Sequence, residues 1–176
     1  MRVIAGDLGG RQFAAPRGHH THPMSEKMRG ALFNKLGDIT GLHILDCFAG
    51  SGALAFEAVS RGAKTATLIE ADRNAQKSIN DNIKALSLNN VKLISTTVLN
   101  WSQTAQDQKF DIILADPPYD KLQFSSLSKL GEHLRPQGLF VLSWPGAIEL
   151  PSFVNCDLLE HQKYGDGQLA FYRALP

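Results

Sequence analysis

The chain has 176 residues, of which 43% are hydrophobic and 20% charged, and its formal net charge is +1. That length suits one domain with a sizeable core, and the ordinary composition excludes disordered and fibrous classes. No apolar run is long enough to span a membrane as a helix, and the opening residues lack the apolar stretch of a secretory signal, so a cytoplasmic protein is expected. Cys47 and Cys156 are then two lone thiols in a reducing compartment.

Charge is distributed unevenly. Residues 1–35 hold Arg2, Arg11, Arg17, Lys27, Arg29 and Lys35 against Asp7 and Glu26, while the remainder is mildly acidic. Such a basic arm suggests a polyanion contact confined to the front of the chain; the bland alternative is a solvated basic surface.

In chain order, residues 3–13 suggest a small hairpin turning at Gly9-Gly10. A helix is predicted over 25–36, with Met24, Met28, Leu32 and Leu36 as a core-facing stripe and with Lys27 and Arg29 turned away toward phosphates. These elements form an extension, 1–36, on a core of 37–176. In the core, β-rich runs at 42–45, 65–70, 91–95, 110–115 and 139–143 alternate with helical patterns at 53–60, 73–88, 101–106 and 125–134. Asp72 caps the second of these helices, and Pro136 and Gly138 are expected to stop the last. Alternation of this kind indicates an α/β fold with a mostly parallel sheet. Two final runs, 158–164 and 168–173, are linked only by Gly165-Asp166-Gly167, which requires an antiparallel hairpin.

The stretch from His43 to Gly52 reads as strand, glycine-rich turn and helix, and Gly50-Ser51-Gly52 opens a G-x-G-x-x-G/A pattern with Glu70 ending the next strand. Taken literally, this is a dinucleotide site. Asp46 argues otherwise: a carboxylate ahead of the turn repels a pyrophosphate but suits the ammonium and sulfonium of S-adenosylmethionine. For Asp46 the bland reading is a capping carboxylate, and for the glycines a plain tight turn. Further on, the buried strand at 110–115 ends in Asp116-Pro117-Pro118-Tyr119. Ligands bind at the carboxyl ends of parallel strands. A proline-stiffened loop there lets the Asp116 carboxylate and the Pro117 carbonyl accept both N–H bonds of a nucleobase amine. They orient it for in-line displacement, and Tyr119 stacks on the base. A chance Asp and Tyr in a Pro-Pro turn is the alternative.

His19, His20 and His22 lack a nearby cysteine or carboxylate partner, so no metal is expected. Cys47, Trp101 and Trp144 are read as packing residues.

Arg2-Val3-Ile4-Ala5-Gly6, Gly10-Arg11, Ala31-Leu32-Phe33-Asn34, the 45–52 loop, Ser60-Arg61-Gly62-Ala63, Asp116 to Tyr119 and Tyr164-Gly165-Asp166 together span essentially the whole chain. In these stretches the chain resembles the RsmD family, bacterial methyltransferases acting on a guanine N2 in 16S ribosomal RNA. The resemblance implies a class I, Rossmann-like seven-stranded methyltransferase sheet. It implies S-adenosylmethionine held by Asp46, Phe48, Ala49, Gly50, Ser51, Gly52, Glu70, Ala71, Thr97, Val98 and Asp116. Asp116, Pro117, Pro118 and Tyr119 would form the catalytic loop, and Arg2, Arg11, Arg17, His22 and Arg29 would contact RNA. A monomer acting on 16S rRNA or a small subunit is expected. Three positions depart from the family pattern: Thr97 replaces an acidic residue near the adenine, His22 an arginine, and Gly30 a glutamate. Two other functions remain open, a DNA adenine-N6 methyltransferase and a non-catalytic RNA-binding assembly module that retains the cofactor site.

Overall fold

The structure is a computed structural model that describes residues 1–16, 24–120 and 122–176. Its core is a seven-stranded sheet in the order β3-β2-β1-β4-β5-β7-β6. β1 (His43–Cys47), β2 (Thr65–Glu70), β3 (Val91–Ser95), β4 (Phe110–Ala115) and β5 (Leu134–Pro145) run parallel. β6 (Cys156–Tyr164) and β7 (Gly167–Ala174) form the closing hairpin, and β7 pairs antiparallel with β5. This is the α/β architecture expected. No helix among the described residues is long and apolar enough to cross a membrane.

Strand alternation sorts the core into two clusters. Ile44, Ile112, Leu114, Val141, Leu169 and Phe171 face one side, packed against α1 (Glu26–Leu36), α2 (Ala53–Ser60) and α3 (Arg73–Ala85). Leu45, Cys47, Ile113, Ala115, Phe140, Leu142 and Tyr172 face the other, toward α4 (Val98–Thr104) and α5 (Phe124–Leu130). A strand buried on both faces has no polar alternation, which explains the near-continuous apolar runs of β1 and β4.

Helix ends follow their capping chemistry. Ser25, Asp72 and Thr97 each accept a hydrogen bond from an orphan amide of the first turn. The Thr97 cap starts α4 at Val98, three residues ahead of the expected start. α5 is shorter than expected: it ends at Leu130, passes through a 3-10 turn at Gly131–His133, and β5 begins at Leu134. Pro136 and Gly138 therefore lie in a strand, where Gln137 takes φ +63° and the β4 register shifts between Phe110 and Ile112. A proline is tolerated at such a bulge because no ladder N–H is needed there.

The front segment forms only an isolated bridge, Arg2 with Gln12, rather than two strands. It spends its polar groups on the core helices. The Ile4 and Ala5 amides donate to Glu57 at 2.7 and 3.1 Å, and Ala14 exchanges two hydrogen bonds with Asn82, each 2.9 Å. Gly6 has φ +81°, and a Cβ there would sit 1.8 Å from the Ser60 carbonyl oxygen, so only glycine lets the chain pass. Val3 and Phe13 join the same cluster as Ile44 and Phe56. Cys47 and Cys156 are free and buried, as are Trp101 and Trp144.

Arg29 corrects one expectation. It is 1% exposed: Nη2 donates to the Arg2 carbonyl at 2.7 Å, and Nε lies 3.8 Å from Glu57 Oε2. The core stripe of α1 includes Met28 and Leu32, as its spacing predicts, but the folded front segment covers a second face of the helix, and Arg29 is on it. A buried arginine whose partner carboxylate also organises two backbone amides is a structural clamp and cannot reach a phosphate. Arg29→Ala leaves Glu57 buried with less compensation, and a loss of about 3–5 kcal/mol is expected by denaturant titration.

Candidate active site

Asp46 lies near the end of β1 and is 1% exposed. Gly52, the residue before α2, has no side chain to cap the helix, so Asp46 does so from the strand: Oδ2 accepts from the Ala55 amide at 3.0 Å. Burial pushes the Asp46 carboxyl up to about 8. The Ala55 hydrogen bond opposes the rise, and the Asp116 and Glu70 carboxylates add to it.

Between them runs the turn. Phe48, Gly50 and Gly52 take positive φ of 62°, 54° and 80°. A Cβ at Gly52 would meet the Phe56 ring at 2.6 Å, so that glycine is required by contact as well as by conformation. The Gly52 amide donates to Ala49 at 2.7 Å, and the Gly50 amide to Glu70 Oε2 at 2.7 Å. Glu70 Oε1 also accepts from the Asp72 amide at 2.8 Å. Glu70 thus closes the turn by holding Gly50. Of the other residues expected here, Phe48 and Gly50 are half-buried, Ala49, Ser51 and Val98 are buried, and Ala71 and Thr97 are exposed.

On the neighbouring strand, β4 ends at Ala115 and Asp116 follows. Asp116 is half-buried by area, but its carboxyl is enclosed enough that burial raises it to about 6, while the Ser143 hydroxyl and the Met24 backbone amide pull the other way. Pro117 is buried and Pro118 exposed. Tyr119 is 38% exposed, with its hydroxyl 2.8 Å from Ser143 Oγ. β1 and β4 are paired neighbours, so Asp46 and Asp116 lie near each other at the carboxyl ends of the strands. Glu70 joins Asp46 and Gly50 there, and Tyr119 lies beside Asp116.

Two contributors escaped the sequence reading. Ser143 sits 2% exposed in the otherwise apolar run Leu139 to Trp144, and that interruption was its signal. Gly167 on β7 accommodates the Tyr119 hydroxyl, which a Cβ would meet at 2.7 Å; nothing local marks it.

The basic arm is more engaged than expected. Arg2 pairs with Glu26 at 3.0 Å, and both are largely exposed. Arg11 donates to the Leu86 and Ala85 carbonyls at the end of α3. Arg17, His19, His20 and His22 lie outside the described residues.

Residues 1–173 match the family model described as Conserved hypothetical protein 95. The chain belongs to the RsmD family. It is 38% identical over 118 residues to the Ribosomal RNA small subunit methyltransferase D of Buchnera aphidicola, a match covering 66% of this chain and 62% of that protein. The chain thus spans about three fifths of the length of that relative. A second protein of the same name, from Haemophilus influenzae, is 31% identical over 172 residues, covering 94% of this chain and 89% of its own. The solved structure of yhhF from Escherichia coli superposes with a TM-score of 0.89 at 30% identity, covering 99% of this chain and 98% of the other.

Proposed function

We propose that this chain, acting as a cytoplasmic monomer, transfers a methyl group from S-adenosylmethionine to the exocyclic N2 amine of a guanine in 16S ribosomal RNA, free or within a small subunit. One observation carries the reading: two enclosed carboxylates, Asp46 and Asp116, stand at the carboxyl ends of adjacent strands with the glycine turn beside them. The names of its RsmD relatives support the substrate class.

The residues present fit the methyl donor. The charged groups acting on the Asp46 carboxyl are Asp116 and Glu70, both negative. A pyrophosphate would deepen that repulsion, whereas a cationic ligand relieves it. S-adenosylmethionine supplies a methyl group on a positively charged sulfur that a nucleophile displaces. Asp46 would hold the cationic end against α2, and Glu70 would keep the turn closed beneath it. Thr97, Val98 and Ala71 remain as the adenine-side wall.

Asp116 and the Pro117 carbonyl would accept the two N–H bonds of the guanine amine and hold the nitrogen toward the methyl group. Orientation is the main contribution, since that lone pair is delocalised into the ring. As the N–C bond forms, the acidic ammonium product gives up a proton that the ionised Asp116 is placed to accept. Tyr119 has its hydroxyl anchored and its ring partly exposed, as a stacking surface requires. On the RNA side, the Arg2 side chain is held by an exposed, solvent-screened ion pair with Glu26, which a phosphate can exchange. Arg11, Arg17 and His22 complete the proposed contact, with Arg11 reached only if it leaves its cap on α3.

The reading is tested by mapping N2-methylated guanines in rRNA from cells with and without the gene. One methylated guanine is expected to disappear with the gene. An unchanged rRNA pattern accompanied by lost N6-methyladenine in DNA would overturn the reading.

A further inference from the structure

Tyr119 does not direct its hydroxyl into the crevice; it turns the hydroxyl back onto β5, 2.8 Å from Ser143 Oγ. The ladder explains the meeting. Ala115 pairs with Leu142, so the next step along the two parallel strands sets Asp116 beside Ser143. On the other edge of β5, Ser143 pairs with Leu169 and Pro145 with Gly167, which brings the bare Gly167 backbone under the Tyr119 hydroxyl. A buried serine hydroxyl has one proton to give and lone pairs to receive. An ionised Asp116 cannot donate, and the Ser143 hydroxyl beside it holds its carboxyl lower than burial alone would. The Tyr119 hydroxyl meets the same oxygen at 2.8 Å.

The geometry points to Ser143 as a positioning residue for methyl transfer: through its hydroxyl it fixes the Tyr119 ring, the stacking wall of the acceptor site, beside the Asp116 carboxylate that grips the amine. Gly167 is the notch that makes this anchoring possible. The identity of the acceptor rests on the function proposed above; the Tyr119–Ser143 hydrogen bond does not. A Tyr119 ring held at a fixed distance from Asp116 presents a flat base in one plane, where a looser ring would let the amine tilt away from the methyl group. Burial raises Asp116, which the Ser143 hydroxyl and the Met24 amide at the start of the α1 segment oppose; Asp116 and Asp166 in the hairpin turn face Tyr119; and Asp116 in turn acts on Asp46 on β1.

The test compares the full-length wild type with Ser143→Ala, Tyr119→Phe and the double variant, in two measurements. The first follows the Asp116 carboxyl carbon by NMR through a pH titration without RNA. Ser143→Ala removes a donor to the carboxylate, so its midpoint is expected to rise, whereas Tyr119→Phe is expected to move it less. The second is methyl transfer. Ser143→Ala is expected to lower kcat about tenfold with little change in KM for RNA, and to move the acid limb of the profile to higher pH. Because either substitution breaks the same Tyr119–Ser143 hydrogen bond, the double variant should be little slower than the slower single variant. An unmoved Asp116 midpoint in a folded Ser143→Ala protein overturns the proposal, as does full additivity of the two rate losses. A shifted midpoint in a protein that methylates no RNA would instead refute the proposed function and leave the placement of Ser143 between Tyr119 and Asp116 standing.

Discussion

Asp46→Asn is expected to lose affinity for S-adenosylmethionine by at least about a hundredfold and, without ligand, to be more stable than the wild type at pH 8. Both effects follow from one buried carboxyl. In the folded protein Asp46 titrates near 8, far above its ordinary value of 3.8. Between those values the folded state retains a proton that the unfolded chain has lost, so stability falls as pH rises through that window. A shift of this size corresponds to as much as about 5 kcal/mol of ligand-free stability lost by pH 8, which asparagine escapes while still accepting the Ala55 hydrogen bond. A cationic ligand reverses the sign, because it binds the ionised carboxylate. Affinity for S-adenosylmethionine is therefore expected to climb with pH up to about 8 and then level off, with a proton released on binding at neutral pH. Thermal denaturation of both proteins across this range, with calorimetry in two buffers of different ionisation enthalpy, checks each part. Equal affinity of the two proteins at pH 8 would remove Asp46 from the site.

Asp116→Ala is expected to lower the methyl-transfer rate by a factor of about a thousand while changing cofactor affinity only a few-fold. Asp116 sits on the acceptor side of the crevice, so its removal leaves the donor pocket in place but frees the amine to rotate. The wild-type rate should fall as pH drops through about 6, because the protonated carboxyl accepts poorly from an N–H bond. The acid limb should vanish in the variant. Single-turnover rates at saturating cofactor, measured from pH 5 to pH 9, separate this loss from any change in binding.

Much of the candidate site is legible in the sequence. Asp46, the glycine turn, Glu70 and the loop from Asp116 lie at strand ends, and strand ends are marked by composition: apolar runs terminated by glycine, proline and acid. What local pattern cannot carry is contact between distant segments. The periodicity of α1 identifies Met28 and Leu32 as core, but it does not reveal that the front segment folds over the flank beside that stripe and buries Arg29 against Glu57. The pairing of Gly167 with the Tyr119 hydroxyl depends on the register of an antiparallel strand that arrives last in the chain. Glu70 stands at the position expected, yet its bond to Gly50 depends on the parallel pairing of β1 and β2. Pro136, read as a helix stop, instead marks a bulge in β5, because the helix had already ended six residues earlier at Leu130.

The most direct test gives the purified protein S-adenosylmethionine with a labelled methyl group. Small-subunit particles lacking the modification serve as acceptor, and the RNA is then digested to nucleosides. Label confined to N2-methylguanosine, and absent when Asp116 is replaced by alanine, is the predicted result. Label in N6-methyladenosine, or equal labelling by the Asp116→Ala protein, would contradict the account.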